Sequence, residues 1–374
     1  MEKFIPYGHQ WVDKSDIKAV LNVLKSDWLT QGPIVEQFEK AVAKYCGAKY
    51  AVAFSSGTSA LYCAYRVVGI DEKDEVITTP LTFVATSNML AMLGAVPVFA
   101  DVDEETLTID PREIEKKITK KTKAIVTVDF AGHPCEYDEI LKIARENNLF
   151  LIEDACHAMG ARYKGKKIGS FSDMTILSFH PVKHITTGEG GMVLTNNKDF
   201  YEKLKILRSH GIEKKPENGA WYYEITEPSF NFRITDLQCA LGMSQLKKIS
   251  GFLKKRREIA GIYSKALNNI KEIILPKEKD YTESAWHLYP IQINKANRKK
   301  IFDNLQKIGI GVQVHYMPLH LHPFYQKKFG YKNGDFPASE RYYERTISIP
   351  LFPKMKMNEI NYVIQNIKKY IQVL

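Results

Sequence analysis

Lys183 lies in the run Ser178-Phe179-His180-Pro181-Val182-Lys183-His184-Ile185-Thr186-Thr187-Gly188-Glu189-Gly190-Gly191, between an apolar stretch and a glycine-rich turn. A lysine held against apolar walls loses hydration, so its pKa falls and its amine can form a Schiff base with an aldehyde. The glycines alone also read as a plain tight turn. Two other segments have chemical promise. Ser55-Ser56-Gly57-Thr58-Ser59-Ala60 places small hydroxyl residues around a glycine where a helix opens, offering N–H groups and hydroxyls to an anion; an ordinary capped helix looks the same. Glu153-Asp154-Ala155-Cys156-His157 comes just after an apolar run. A carboxylate just beyond a buried strand needs a partner or a cleft, unless it simply caps a helix.

These segments depend on the elements that hold them. Short β-branched runs at 50–54, 75–78, 96–100, 124–128, 150–152 and 175–178 read as strands, alternating with helical patterns such as 59–68, 83–93 and 136–147. That alternation predicts an α/β fold with a mainly parallel central sheet, covered by helices on both faces. Ahead of it, Ser15 reads as the cap of a helix through about residue 26, and a second helix over 34–46 stops at Gly47. Beyond residue 246 the pattern changes to a long charged helix over 250–267, strand-like pieces at 288–293 and 312–316, and a closing helix over 358–370. The expected division is a large domain, 1–246, and a smaller C-terminal α+β domain, 247–374.

In open α/β sheets, ligands bind beyond the carboxyl ends of the strands. The anion cradle, the carboxylate and the sheltered lysine all fall at that edge. Together they suit pyridoxal 5'-phosphate (PLP), which has a phosphate to anchor, a ring nitrogen to keep protonated and an aldehyde to bind.

Composition narrows the alternatives. The chain has 374 residues, of which 44% are hydrophobic and 26% charged, a mix unlike a disordered chain. No uncharged apolar run is long enough for a membrane helix, and MEKFIPYGHQ lacks a signal-peptide core, so the cytoplasm is the expected compartment. The five cysteines are scattered and read as reduced, with no metal-knuckle spacing and no metal expected. The net charge is +10, made of −4 over residues 1–246 and +14 over 247–374. That basic third raises the question of a polyanion, but no nucleic-acid-binding signature accompanies it, and a solvated lysine-rich surface is the simpler reading.

The lysine run resembles the cofactor-lysine motif of the DegT/DnrJ/EryC1/StrS sugar aminotransferases. Ser56-Gly57-Thr58-Ser59-Ala60-Leu61 and Glu153-Asp154-Ala155-Cys156-His157-Ala158 resemble that family's motifs as well. So do Asn231-Phe232-Arg233, with Gln238 and Ala240-Leu241-Gly242. The likeness spans essentially the whole chain. It implies a fold type I, aspartate aminotransferase-like PLP transferase that forms homodimers with shared active sites. Within the family, Leu29-Thr30-Gln31-Gly32, Pro80-Leu81-Thr82-Phe83-Val84-Ala85-Thr86, Gln313-Val314-His315-Tyr316-Met317-Pro318 and Ser348-Ile349-Pro350-Leu351 resemble the transaminases of pseudaminic acid biosynthesis.

The resemblance implies a role for each matching residue. Lys183 holds the cofactor and shuttles a proton, and Asp154 pairs with the pyridine nitrogen. His157 lies near the phenolic oxygen, or serves a structural hydrogen bond. Gly57, Thr58 and Ser178 hold the phosphate, with Asn231 reaching in from the partner subunit. Phe83 stacks on the ring or belongs to the core. Tyr7, Thr30, Gln313, His315 and Tyr316 match nucleotide-sugar contacts, although His315 and Tyr316 also suit packing. Arg233 meets a substrate anion or braces Asn231. The implied reaction moves an amino group from L-glutamate to C4 of UDP-2-acetamido-2,6-dideoxy-β-L-arabino-hexos-4-ulose. Its products are UDP-4-amino-4,6-dideoxy-N-acetyl-β-L-altrosamine and 2-oxoglutarate. Other readings are transamination of another nucleotide-linked 4-ketosugar, toward UDP-aminoarabinose or a D-configured sugar, and a PLP-binding regulator without turnover. A sugar dehydratase of the same family usually has histidine in place of the lysine, which Lys183 argues against.

Overall fold

The computed structural model describes residues 4–372. Seven strands form the central sheet: β1 Tyr50–Phe54, β2 Glu75–Thr78, β3 Val96–Phe99, β4 Thr122–Val128, β5 Phe150–Asp154, β6 Met174–Ser178 and β7 Gly191–Thr195. Their order across the sheet is β1-β7-β6-β5-β4-β2-β3. All neighbours are parallel except β7, which runs antiparallel to both β1 and β6. Each expected strand in this sheet lies within two residues of its observed limits; β7 completes the set.

Alternation along β1 explains the layering. Ala51 and Ala53 join a core with Phe38 and Val42, while Val52 and Phe54 join a second core with Leu61 and Ala64 on the other face. Phe38 and Val42 belong to α2 (Pro33–Cys46), and Leu61 and Ala64 to α3 (Gly57–Val67). Helix α2 stops where expected, because Gly47 adopts the left-handed conformation at φ +82°. Helix α1 (Lys14–Leu24) corrects the expectation for its cap. Asp13, not Ser15, is the cap: its carboxylate accepts the N–H groups of Ser15 and Asp16, and Asp16 accepts the Asp13 N–H in return.

A separate apolar cluster gathers Ile259, Tyr263, Tyr289, Ile291, Ile347 and Ile367, and residue Ile5 joins it. Its centre is an antiparallel pair, Tyr289–Gln292 with Thr346–Ile349, packed with the helices Ile249–Leu267, Lys295–Lys307 and Met357–Gln372. The strand expected at 312–316 does not form. That segment makes one isolated bridge, Gln313 with Ser348. Its β-branched pattern serves a loop instead, with Val312 buried in the cluster and Gln313, His315 and Tyr316 turned to a cavity at the edge of the central sheet.

The antiparallel β7 brings two strand ends together. Gly191 stands opposite both Phe54 and Ser178. A Cβ on Gly191 would lie 2.3 Å from the Ser56 carbonyl oxygen and 2.5 Å from the Gly57 nitrogen. Alanine at this position must therefore push the start of α3 away. Gly191→Ala is expected to cost about 1–3 kcal/mol in urea unfolding; stability equal to wild type would contradict this close approach.

Candidate active site

A cavity of about 800 Å³ opens at the strand edge, between the ends of β1, β4, β5 and β6 and the loop that carries Gln313 to Tyr316. Eleven of the fourteen residues expected from sequence line it: Tyr7, Gly57, Thr58, Phe83, Asp154, His157, Ser178, Lys183, Gln313, His315 and Tyr316.

One wall is the N-terminus of α3. Ser56 accepts the Ser59 N–H through its hydroxyl and the Ala60 N–H through its carbonyl. The N–H groups of Gly57 and Thr58 are left with no acceptor among the described residues, and they belong to the positive end of the helix. A Cβ on Gly57 would approach Ser178 Cβ to 3.3 Å and the Cys156 sulfur to 3.5 Å. Glycine keeps that wall open for an anion held by backbone N–H groups and the Thr58 and Ser178 hydroxyls. Gly57→Val is accordingly expected to weaken cofactor binding by about tenfold or more in a fluorescence titration. Unchanged affinity would remove this cradle from the site.

Lys183 enters from the loop joining β6 and β7, which is pinned from within. The Phe179 carbonyl accepts Thr187 N–H and Thr186 Oγ1 at 3.0 Å each, and Phe179 N–H donates to the Gly190 carbonyl at 2.9 Å. The Phe179 ring is buried against Phe38. Loss of hydration lowers the pKa of Lys183, opposed by Cys156 and Asp154 and reinforced by Arg256. A larger fraction of neutral amine, the nucleophilic form, is therefore present near pH 7.

Asp154 ends β5, 6% exposed. Its Oδ2 accepts the Thr86 hydroxyl at 2.7 Å, and Thr86 contacts Thr82 Oγ1 at 2.9 Å. Its Oδ1 accepts the Cys156 N–H at 3.2 Å. Thr82 and Thr86 stand four residues apart across the start of α4 (Ala85–Met92), so both hydroxyls reach the same side. Phe83 falls just before α4 and stays 54% exposed, its ring 6.1 Å from that of Tyr316. It is a cavity wall rather than core.

His157 is buried, with Nε2 3.3 Å from the Tyr316 hydroxyl and Nδ1 without a partner among the described residues. Burial, then Lys183, keeps its pKa well below the usual histidine value. His287 packs on it with ring centroids 4.3 Å apart and also lines the cavity. His315 donates to or accepts from Ser348 Oγ at 2.9 Å, and burial with Lys183 pulls its pKa down to about 4. The Tyr7 ring sits 5.2 Å from His315. These rings form an apolar-to-polar face suited to a flat ligand.

Three expected residues lie elsewhere. Thr30 bridges to Thr235. Asn231 bridges to Ser209, and its Oδ1 accepts the Arg233 N–H at 3.2 Å. The Arg233 guanidinium donates to Ser209 Oγ at 2.8 Å. Within one chain, therefore, Thr30, Asn231 and Arg233 do not line the cavity. Sequence reasoning gave no role to Thr86, Cys156 or His287. The i, i+4 threonines after β2 were a usable signal for the first; His287, just ahead of an apolar strand pattern, was one for the last.

The cavity fits PLP: an anion cradle that a side chain at residue 57 would fill, a supported carboxylate, an amine of lowered pKa and a buried histidine nitrogen with no protein partner among the described residues. Residues 10–368 match the profile of the DegT/DnrJ/EryC1/StrS aminotransferase family. The chain belongs to this family.

Other members are similar along their whole length. The UDP-4-amino-4,6-dideoxy-N-acetyl-β-L-altrosamine transaminase of Campylobacter jejuni is 43% identical, covering 96% of this chain and 95% of that one. The spore coat polysaccharide biosynthesis protein SpsC of Bacillus subtilis is also 43% identical, covering 99% and 97%. Among solved structures, Helicobacter pylori PseC, an aminotransferase of pseudaminic acid biosynthesis, superposes with a TM-score of 0.94 over 100% of both chains at 37% identity. As in other DegT/DnrJ/EryC1/StrS aminotransferases, the chain has the expected mainly parallel α/β fold.

Proposed function

We propose that this protein is a PLP-dependent nucleotide-sugar transaminase. It moves the amino group of L-glutamate to C4 of UDP-2-acetamido-2,6-dideoxy-β-L-arabino-hexos-4-ulose, giving UDP-4-amino-4,6-dideoxy-N-acetyl-β-L-altrosamine and 2-oxoglutarate. The observation that carries the reading is the convergence of Lys183, Asp154 and the open α3 terminus on one cavity, in a chain similar to a transaminase of that name.

When bound, PLP supplies an aldehyde that exchanges amines and a protonated ring that accepts electrons. Gly57 and Thr58 N–H groups, with the Thr58 and Ser178 hydroxyls, hold its phosphate. Asp154, oriented by Thr86 and the Cys156 N–H, is the anion for the ring nitrogen. His157 serves the phenolic oxygen and Phe83 the ring face. Lys183 would hold the aldehyde carbon, and its Nζ would carry a proton to and from the substrate carbon. Tyr7, Gln313, His315 and Tyr316 form the sugar side of the cavity. In the homodimer, Asn231, Arg233 and Thr30 complete the partner's site. Residues 1–246 carry the cofactor and 247–374 the outer wall, and the enzyme works in the cytoplasm on soluble partners, with no nucleic acid or membrane. Among the described residues, no helix is long and apolar enough to cross a membrane.

Incubation with the 4-ketosugar and glutamate should yield the amino sugar and 2-oxoglutarate by mass spectrometry. Absence of both from protein that carries cofactor overturns the reading. The equal likeness to the spore coat polysaccharide protein supports a second reading, another nucleotide-linked 4-ketosugar as acceptor. Relative kcat/KM over a panel of 4-ketosugars separates the two. Among the described residues, no arginine, and no lysine besides Lys183, lines the cavity, so the C-terminal charge acts at most from a distance. Raising salt from about 0.05 to about 0.5 M should lower kcat/KM roughly two- to fivefold through lost steering. A flat salt profile would return that charge to the ordinary solvated surface.

A further inference from the structure

Arg256, on the helix Ile249–Leu267, is 1% exposed, and no carboxylate offsets its charge among the described residues. Burying a guanidinium this way is unfavourable unless its donors are taken. Nη1 donates to the carbonyls of Trp286 and His287 at 3.2 Å and of Leu351 at 3.0 Å, and Nη2 to the carbonyl of Val182 at 3.3 Å. Nε has no partner among the described residues. The four carbonyls come from three segments: the residue before Lys183, the stretch carrying His287, and the loop after the strand Thr346–Ile349. An apolar side chain would fill this volume with less desolvation, so packing alone does not account for arginine here.

We infer that Arg256 is a positioning residue of the active site, which clamps the backbone beside Lys183 to the His287 segment and holds an unpaired cation against that backbone. The inference rests on the reading of Lys183 as the cofactor lysine. The groups acting with Lys183 are Asp154 at the end of β5 with Cys156 and His157 just beyond it, His180 and His184 on its own loop, His287 and His315 from the second apolar unit, and Arg256. Asp154 and Cys156 favour the ammonium form; Arg256 opposes it. Burial lowers the pKa of Arg256 itself to about 10, which leaves it charged at neutral pH.

The test uses the full chain free of cofactor. Lys183 is acetylated with acetic anhydride across a pH series and quantified by peptide mass spectrometry, and kcat and KM are measured in parallel on the loaded enzyme. In Arg256→Gln the acetylation midpoint should rise, with kcat about tenfold lower and KM little changed. An unmoved midpoint in folded Arg256→Gln overturns the inference. If Arg256→Gln does not fold, hydrogen exchange over residues 180–187 in Arg256→Lys decides: exchange about tenfold faster than wild type is expected, and equal protection overturns the clamp. A wild-type midpoint at the ordinary lysine value would instead sink the reading of Lys183, so the two failures are distinguishable.

Discussion

Lys183→Ala should lose transamination by at least about 10⁴-fold in kcat, because one side chain both anchors the cofactor aldehyde and moves the proton. The loss should be chemical rather than structural. The loop holding Lys183 is fixed by Phe179, Thr186, Thr187 and Gly190, none of which depends on the ammonium group. The Lys183 backbone N–H donates to the His180 carbonyl at 2.9 Å, which alanine preserves. Circular dichroism and thermal unfolding should therefore match wild type, while the absorbance of the lysine-bound cofactor disappears. Lys183→Arg keeps charge and bulk but has no neutral amine near pH 7, so it should be equally inactive. Turnover within tenfold of wild type in either variant would remove Lys183 from its role.

Asp154→Asn should lower kcat by about 10²–10³-fold by removing the anion that keeps the ring nitrogen protonated. Asparagine has the shape of aspartate, and its carbonyl can still accept the Cys156 N–H. The fold should therefore hold, and the defect should be electronic. Thr86→Val removes one of the two hydrogen bonds that orient the carboxylate and should cost less, about tenfold, with the same sign. A larger defect in Thr86→Val than in Asp154→Asn would mean that Thr86 acts in its own right.

Much of this arrangement was legible in the sequence for physical reasons. Strands buried on both faces carry short apolar and β-branched runs, so β1, β2 and β6 stood out, and residues past these strand ends fall at the cavity. The cap of α1 was less clear, because Asp13 and Ser15 are both capping residues within one turn and only the reciprocal bond to Asp16 separates them. The segment 312–316 has the alternation of a strand but no neighbour to pair with beyond one bridge. Residues that act through another part of the chain were invisible. His287 meets His157 from 130 positions away, and Arg256 touches carbonyls that any sequence would supply. Thr30, Asn231 and Arg233 carry family likeness without sharing the cavity of their own chain.

The antiparallel strand β7 also bears on how the protein is made. Among the described residues β1 is an edge strand paired with β7 alone, and Phe54 meets Gly191 more than a hundred residues later. The glycine that seats the start of α3 is thus translated long after α3 itself. A ribosome-bound chain ending before β7 has the anion-binding turn but nothing to hold it against Ser178, and it has not yet made Lys183's closing strand. Contacts of such long range form late. Cofactor capture then waits for β7, which ends at residue 195 of 374, about half-way along the chain.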